Sequence, residues 1–323
     1  MKRKQIGWSV LAVGTIVSII GAIWLLAQKF QGTQPWGPLL SDNVVFAKSM
    51  PFILGLGILA GAAHALLEEG MGLEQRMDGN IRRFSVVTIL THWINAIGFI
   101  LALVTGSFQY LTGILDVAPP WPLYIFYRLH YIGASLVVFA VSSFVTHRFL
   151  IGDRRLLPEQ GRVFHELRGL VDELPRFIGV PLAVIVGLNL RRRAPQTGQF
   201  AFYEKLVSFP IWGLLLALII VTGLIKTIRY LYPLPGPVLF WASTLHVASM
   251  ILLAAKLLDH LRFVLNPSRW PLLVSMFTGG VPEVYIKEHH PAWYKELNAG
   301  QSREEPVRTV SQEYGTVPTV DAD

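Results

Sequence analysis

Residues 230–260 read YLYPLPGPVLFWASTLHVASMILLAAKLLDH, and this stretch decides the fold. It carries no charged residue between positions 230 and 255, which is long enough for the ~20 residues that a membrane-spanning helix needs. His246 and His260 stand 14 residues apart within it. At 3.6 residues per turn, both imidazoles leave the same face of a helix, about 21 Å apart along its axis. The stretch therefore predicts a spanning helix with one histidine near each side of the membrane.

The composition of the whole chain is that of a membrane protein. Of its 323 residues, 52% are hydrophobic and 15% are charged, with a mean hydropathy of +0.47, whereas soluble domains average about 25% charged residues. The net charge of +7 does not indicate nucleic-acid binding, because the placement of charges matters more than their sum in such a chain. The absence of cysteine excludes disulfides, thiolate metal sites and iron–sulfur clusters held by this chain.

Six apolar stretches predict an all-α integral membrane helix bundle with six spanning helices. They cover residues 6–27, 51–67, 84–115, 129–147, 206–225 and 230–255. The second is long enough only if its helix begins near Val44 and Lys48 extends its amine to the membrane interface. We interpret the first as an uncleaved anchor rather than a signal peptide, because its apolar core is long and no clear cleavage site follows.

Lys and Arg alternate between the connections. They concentrate in residues 1–4, 76–83 and 148–193, whereas the loops at 28–50, 116–128 and 226–239 are poorer in them. The positive-inside rule then predicts both termini on the cytoplasmic side of a bacterial inner membrane, although Lys226 and Arg229 weaken the signal in the last outer loop. The charge-free run at 177–190 is too short to span and is predicted to be interfacial or re-entrant.

The chain divides into three predicted parts. Residues 1–70 hold two N-terminal transmembrane helices, 81–297 a membrane domain with a four-helix core, and 298–323 a polar tail that lacks a hydrophobic period. Such a tail is predicted to be disordered. No Gly-rich phosphate loop precedes a basic residue, so the chain gives no support for ATP-driven transport.

Four histidines at matched depths form the candidate site, since ionisable groups inside membrane helices are functional candidates by default. His130, at the outer start of the fourth helix, matches the depth of His246. His92, near the cytoplasmic start of the third, matches that of His260. A helix with ligands at two depths on one face suits the axial ligation of two haem irons. The alternative is that these histidines are hydrogen-bonded contacts between helices.

Other residues near these depths are weaker candidates. His147 lies 17 residues after His130, which turns it roughly 100° away from the face of His130, and His64 ranks with it below the four. Small positions where a flat macrocycle can approach are Gly98, Gly106 and Gly133. Candidate partners for haem propionates, or plain interfacial anchors, are Arg83, Arg128 and Arg262.

Several motifs between residues 81 and 297 carry a family resemblance. They are Arg83-Phe84-Ser85, Thr91-His92-Trp93-Ile94-Asn95-Ala96, Leu129-His130, the His246 and His260 pair, Phe277-Thr278-Gly279-Gly280 and Glu288-His289-His290-Pro291-Ala292-Trp293-Tyr294. The chain resembles the gamma, cytochrome b subunit of respiratory formate dehydrogenases, and more loosely the cytochrome b subunits of nickel–iron hydrogenases. The resemblance implies that residues 81–297 form a di-haem cytochrome b domain, with His92, His130, His246 and His260 as axial ligands of two b haems.

The resemblance also implies a role and partners. An iron–sulfur subunit and a molybdenum or tungsten catalytic subunit outside the membrane would pass electrons through the haems to menaquinone or ubiquinone. Bis-imidazole ligation leaves no open iron position, so the chain would transfer electrons and carry out little covalent chemistry itself. Formate dehydrogenase, hydrogenase and related molybdenum enzymes all fit as the donor.

The quinone region departs from the family pattern. The family reads Gly-Lys-Tyr-Asn-Ala-Gly-Gln-Lys where this chain reads Gly198-Gln199-Phe200-Ala201-Phe202-Tyr203-Glu204-Lys205. Ala201 takes the asparagine position and removes an amide that can bond a quinone carbonyl. Either Gln199 or Tyr203 substitutes, or the site has moved or is absent. His289 and His290 carry no family role, and we interpret their segment as solvated or subunit-docking rather than metal-binding.

Two rival functions remain open from the sequence. A proton or metal transporter lined by the four histidines predicts no visible absorbance. A haem-bearing membrane anchor without quinone chemistry predicts a haem spectrum that does not respond to quinol analogues.

Overall fold

The computed structural model describes residues 2–30, 42–71, 76–77, 79–116, 118, 120–152, 154–158, 161–189 and 195–304. In chain order the elements are α1 (Lys2–Phe30), α2 (Asp42–Met71), β1 (Arg76–Met77), β2 (Asn80–Arg82), α3 (Val86–Leu115), α4 (Leu123–Ile151), α5 (Val163–Glu173), α6 (Arg176–Ile185), α7 (Phe209–Ile228), α8 (Gly236–Val264), α9 (Trp270–Thr278), β3 (Gly280–Pro282), α10 (Glu283–His289) and α11 (Pro291–Glu304). Among the described residues, six helices are long and apolar enough to cross a membrane: α1 to α4, α7 and α8. The predicted all-α bundle of six spanning helices is confirmed.

The long helices run up and down, so their connections alternate between two ends of the bundle. We call the end where α1, α3 and α7 terminate the open end. The opposite end, the capped end, carries the short strands together with α5, α6 and α9 to α11. The described chain begins and finishes at the capped end, because the number of spans is even.

The core of the bundle is a layer built from four helices. Phe99, Val137, Leu215 and Leu253 are buried against one another, one each from α3, α4, α7 and α8. Leu253 is fully buried and lies midway between His246 and His260 along α8. A close-packed apolar layer therefore separates the depths at which these two histidines stand.

The first two helices are held by close backbone approach. In α1, a Cβ on Gly21 would lie 2.5 Å from the Phe52 nitrogen of α2. In α2, a Cβ on Gly61 would lie 2.3 Å from the Ser143 carbonyl of α4. Small residues at such crossings allow membrane helices to pack closely. The second apolar stretch thus forms a full helix and packs onto α4.

Lys48, near the start of α2, has an aromatic contact that the sequence did not predict. Its side chain is buried between helices, and the amine lies 5.2 Å from the centre of the Trp24 ring. A cation over an aromatic face gains electrostatic attraction that partly replaces hydration. The contact with α1 therefore takes the place of water.

The part of the run at 177–190 that is helical, residues 177–185, belongs to a short helix at the capped end. Helix α6 has 10 residues, too few to cross the membrane. A Cβ on Gly179 would lie 2.6 Å from the Val171 carbonyl, so α6 packs closely on α5. Phe177 and Ile185 are 79% and 82% exposed on its other side.

Strands β2 and β3 pair residues 80–82, just before α3, with residues 280–282, just after α9. We call this pair of strands the clasp. Ile81 lies opposite Val281 in an antiparallel register, and the Arg83 backbone N–H donates to the Gly279 carbonyl at 2.8 Å. Gly279 has φ 81°, a left-handed conformation that glycine adopts without strain. The clasp places the start of α3 beside the end of α9.

The end of the chain is helical further than expected. The predicted polar tail begins at residue 298, yet α11 continues to Glu304. The rest of the tail, residues 305–323, lies outside the described residues.

Candidate cofactor site

The open-end pair consists of His130 from α4 and His246 from α8. Their ring centres are 6.3 Å apart. An imidazole nitrogen binds a transition metal at about 2 Å and lies about 1.1 Å from its ring centre, so two axial ligands of one ion have ring centres about 6.3 Å apart. The spacing of this pair therefore fits one metal ion between two rings.

Each ring of the open-end pair is anchored by its other nitrogen. The His130 Nδ1 lies 3.0 Å from the Ala102 carbonyl of α3, and the His246 Nδ1 lies 3.1 Å from the Ile219 carbonyl of α7. A carbonyl only accepts, so Nδ1 carries the proton and donates. The lone pair is left on Nε2, the arrangement that a metal-ligating histidine needs.

A threonine reinforces each anchor. Thr105 Oγ1 lies 3.4 Å from His130 Nδ1, and Thr222 Oγ1 lies 3.1 Å from His246 Nδ1. Each hydroxyl already donates its hydrogen to a carbonyl of its own helix, at 2.6 Å and 2.7 Å. Toward the imidazole it can therefore only accept, which agrees with the protonated Nδ1.

A glycine follows each threonine and leaves room for the ring. A Cβ on Gly106 would lie 3.1 Å from His130 Cε1, and one on Gly223 would lie 3.2 Å from His246 Cε1. The sequence reasoning noted Gly106 but missed both threonines and Gly223. The signal was present, since Val-Thr-Gly occurs at 104–106 and again at 221–223, each time on the helix before an open-end histidine.

A cavity of about 350 Å³ surrounds the open-end pair. Its walls are mostly apolar and come from α2, α3, α4, α7 and α8, with both histidines and both glycines in the lining. Lys226 and Arg229 bring positive charge to it. An apolar chamber with two imidazoles and a cationic wall fits a flat, largely apolar ligand that carries acidic groups.

The capped-end pair consists of His92 from α3 and His260 from α8. Their ring centres are 6.5 Å apart, close to the spacing of the open-end pair. Two tryptophans meet the rings edge-on: Trp93 at 5.5 Å from His92 and Trp212 at 6.3 Å from His260. The Trp93 Nε1 donates to the Met276 carbonyl at 2.8 Å, which ties α3 to α9. In each predicted pair, the structure thus places the two histidines next to each other.

The other two membrane histidines are arranged differently. The rings of His64 and His147 are stacked, with centres 3.7 Å apart and planes within 7°, and His64 Nε2 lies 3.0 Å from Ser85 Oγ. Stacked rings present their faces to each other, so they leave no gap for an ion between their nitrogens. Within the described ranges, no group of three or more His, Cys, Asp or Glu residues is placed to hold a metal ion.

The candidate arginines have protein partners. Arg128 is 58% exposed and pairs with Asp42 at 2.7 Å. The Arg83 side chain is 3% exposed and pairs with Glu204 at 3.4 Å, while its Nε has no hydrogen-bond partner in the described part of the chain. Arg262 pairs with Asp259 at 3.0 Å. Arg128, the candidate arginine at the open end, is therefore already neutralised by a carboxylate.

Gln199 and Tyr203 lie at the capped end in different surroundings. The Gln199 amide is buried and donates to the Arg83 carbonyl at 3.4 Å, while its Oε1 lacks a partner among the described residues. The Tyr203 hydroxyl donates to Asp259 Oδ2 at 2.7 Å, next in sequence to His260. Burial, and then the bond to Asp259, raise the pKa of Tyr203 to about 12.

The segment that carries Tyr203 has an irregular backbone. Glu204–Ser208 form a π-helical turn at the start of α7, and such turns are frequent at functional sites. The Glu173 carboxylate accepts the Tyr203 backbone N–H at 2.7 Å and so caps this turn. Lys205 forms a buried ion pair with Glu166 of α5. Side chains of α5 therefore hold the turn beside the end of α8.

Comparisons with known proteins identify a family and several relatives. The family model of prokaryotic cytochrome b561 matches residues 83–279. The formate dehydrogenase cytochrome b556(fdo) subunit of Escherichia coli K12 is 27% identical over 228 residues, which cover 67% of this chain and 93% of the relative. Subunits of the same name from the Escherichia coli strains O6:H1 and O157:H7 match to the same extent. Helices α1 and α2 lie outside the family match.

Proposed function

The chain belongs to the prokaryotic cytochrome b561 family, and from this premise we propose that it is a di-haem electron-transfer subunit of a respiratory oxidoreductase. It is a bacterial membrane protein related to a cytochrome b subunit of formate dehydrogenase. In the proposal, electrons from a partner iron–sulfur subunit cross the bilayer through two b haems to quinone. Both termini lie in the cytoplasm, so the open end faces outward.

One observation carries this proposal: two histidine pairs with ring centres 6.3 Å and 6.5 Å apart at opposite depths. His130 and His246 would hold one haem, and His92 and His260 the other. Haem supplies one-electron transfer when bound, with a potential set by its ligands and surroundings. The chain's own residues orient the imidazoles, exclude water with the layer around Leu253, and give room through Gly106 and Gly223.

The partners follow from the relatives. Three relatives, each 27% identical to this chain, are named as formate dehydrogenase cytochrome b556(fdo) subunits, which supports a complex with an iron–sulfur subunit and a molybdenum or tungsten catalytic subunit. Quinone, either menaquinone or ubiquinone, would be reduced at the capped end. Tyr203 is the better candidate there, because its hydroxyl reaches Asp259 beside His260, whereas Gln199 bonds back to Arg83.

The test is a dithionite-reduced minus air-oxidised spectrum with haem quantified as the pyridine haemochrome. Wild type is expected to hold two b haems per chain, and His246→Ala and His260→Ala are each expected to lose one. His147→Ala serves as the matched control, since its ring is stacked on His64, and it should keep both haems. An intact but colourless wild type would contradict the proposal and favour the histidine-lined transporter.

A second candidate function is a haem-bearing anchor without quinone chemistry. Ala201 favours it, because no side-chain amide stands at the position where the family pattern has asparagine. Quinol analogues distinguish the two functions. If a quinol analogue shifts the spectrum of the capped-end haem, and Tyr203→Phe weakens that shift, the result supports quinone reduction. A spectrum that does not respond to the analogue supports the anchor.

A further inference from the structure

The open-end cavity carries two positive charges and no negative one among its described lining residues. Lys226 and Arg229 stand at the end of α7. Lys226 follows Ile219 and Thr222 at seven and four positions, so it shares their helix face. That face anchors His246, and Lys226 lines the same cavity.

Among the described residues, Lys226 differs from its neighbour in having no hydrogen-bond or ion-pair partner. The Arg229 guanidinium donates to the Tyr230 hydroxyl at 2.8 Å and lies over that ring. The half-buried Lys226 ammonium makes no hydrogen bond or ion pair with any residue in the described part of the chain. A cation removed from water in a membrane helix is costly unless an anion accompanies it.

The sequence offers no spare anion at this end. The stretches 29–43, 115–123 and 228–236, which link the helices there, contain two acidic residues, Asp42 and Asp116. Asp42 is paired with Arg128. Asp116 is an exposed residue at the C-terminal cap of α3. The described carboxylates at this end therefore give Lys226 no ion pair, which leaves its counter-charge to a ligand.

Building on the proposed function, we propose that the Lys226 ammonium pairs with a propionate carboxylate of the haem held between His130 and His246. The cavity supplies the imidazoles and apolar walls that select a porphyrin, and Lys226 supplies the charge that selects its acidic edge. Lys226 thus takes a role for which the sequence offered Arg128 as one candidate. It is a positioning residue, since it orients the ring without touching the iron.

The test compares haemin with haemin dimethyl ester, in which both carboxylates are blocked. The apoprotein is prepared from haem-limited cells and carries His260→Ala, so that the open-end site is the single remaining haem site under the proposal. Lys226→Met is expected to weaken haemin binding at least tenfold and to leave binding of the ester unchanged, because the ester has already lost the pairing. Soret titration measures both affinities.

The contrary outcomes separate the two proposals. Equal loss of haemin and ester in Lys226→Met overturns the pairing alone, since a damaged pocket rejects both. A wild-type chain that binds neither overturns the proposed function and the pairing with it. A third outcome is that Lys226→Met keeps the preference for haemin over its ester but is no longer stabilised against unfolding by phosphatidylglycerol vesicles. In that case the anion is a lipid phosphate, and the pairing is overturned.

Two further variants guard against misfolding. Lys226→Arg keeps the charge and is expected to retain the preference for haemin over its ester. Lys48→Met removes a buried lysine that lies over Trp24 and does not line the cavity, and it should bind both ligands as wild type does. In the native holoprotein, Lys226→Met is also expected to lower the midpoint potential of the open-end haem. A tenfold change in the reduction equilibrium is 59 mV for one electron.

Discussion

The two histidine pairs have the same spacing but are held in different ways. At the open end, each ring is anchored through Nδ1 to a carbonyl and a threonine of the preceding helix, beside a glycine. At the capped end, the rings meet Trp93 of α3 and Trp212 of α7 edge-on, and the Trp93 Nε1 donates to the Met276 carbonyl of α9. The open-end rings are thus held by hydrogen bonds to their own Nδ1 atoms, whereas the capped-end rings contact tryptophans, one of which is tied to a segment packed at the helix ends.

The substitution with the largest expected effect disrupts the open-end pair and leaves the capped-end pair intact. Gly106→Val should displace His130, because even a Cβ would lie 3.1 Å from its ring, and the chain should keep one haem of two. Gly113→Val is the control on the same helix, since nothing lies within 4 Å of a Cβ there. Pyridine haemochrome content per chain measures the result. Equal haem content in both variants would contradict the role assigned to Gly106.

A second prediction concerns the cap. Burial, and then the nearby positive charge of Arg83, lower the pKa of His290 to about 4, while its Nδ1 bonds the Gly198 carbonyl at 2.7 Å. An unfolded histidine titrates near 6.5, so the unfolded state binds more protons between these values. The free energy of unfolding of the cap should therefore fall by about 2 kcal/mol from pH 8 to pH 5.

Hydrogen exchange in α10 and the clasp, corrected for the intrinsic rate at each pH, measures this loss. His290→Gln should flatten the pH dependence. His289→Gln changes an exposed neighbour and should leave it as in wild type. If His290→Gln keeps the full slope, another group titrates in its place.

The smallest effect sharpens the difference between the pairs. Thr222→Val keeps the shape of the side chain and removes the oxygen that accepts from His246 Nδ1. Loss of such an outer contact typically costs about 10-fold in metal affinity, so the open-end haem should be lost sooner during dialysis with a haem scavenger. Thr112→Val removes a hydroxyl that bonds only within α3, and should retain haem as wild type does. No difference between the two would leave the carbonyl as the sole anchor.

The sequence was informative where one helix determines the answer. The length of the apolar stretches gave six spans, because a bilayer requires about 20 residues of helix. The 14-residue interval between His246 and His260 indicated two depths on one face, because helical periodicity is local. These features do not depend on which helices are neighbours.

The contacts that sequence reasoning missed are all between helices. Thr105 and Thr222 matter only because a following helix places an imidazole against them. In the sequence Lys226 only weakens the charge pattern, and Arg128 is one of three candidate arginines, because its pairing with Asp42 is a contact between helices. The contact of Lys48 with Trp24 of α1 likewise joins two helices. Which partner each of these side chains contacts depends on the neighbouring helices, and neither composition nor hydrophobic periodicity specifies those neighbours.

The clasp has a consequence for how this protein can be extended. It brings residues 80–82 against 280–282, so the stretch matched by the family model, 83–279, enters and leaves at one point. When the first and last residues of a unit are neighbours, segments can be added there without changing the order or packing of its helices, as in circular permutation and domain fusion. Helices α1 and α2 are joined to the cytochrome unit at this point and then cover α4. The same junction is where a further segment can be grafted with the histidine pairs left in place.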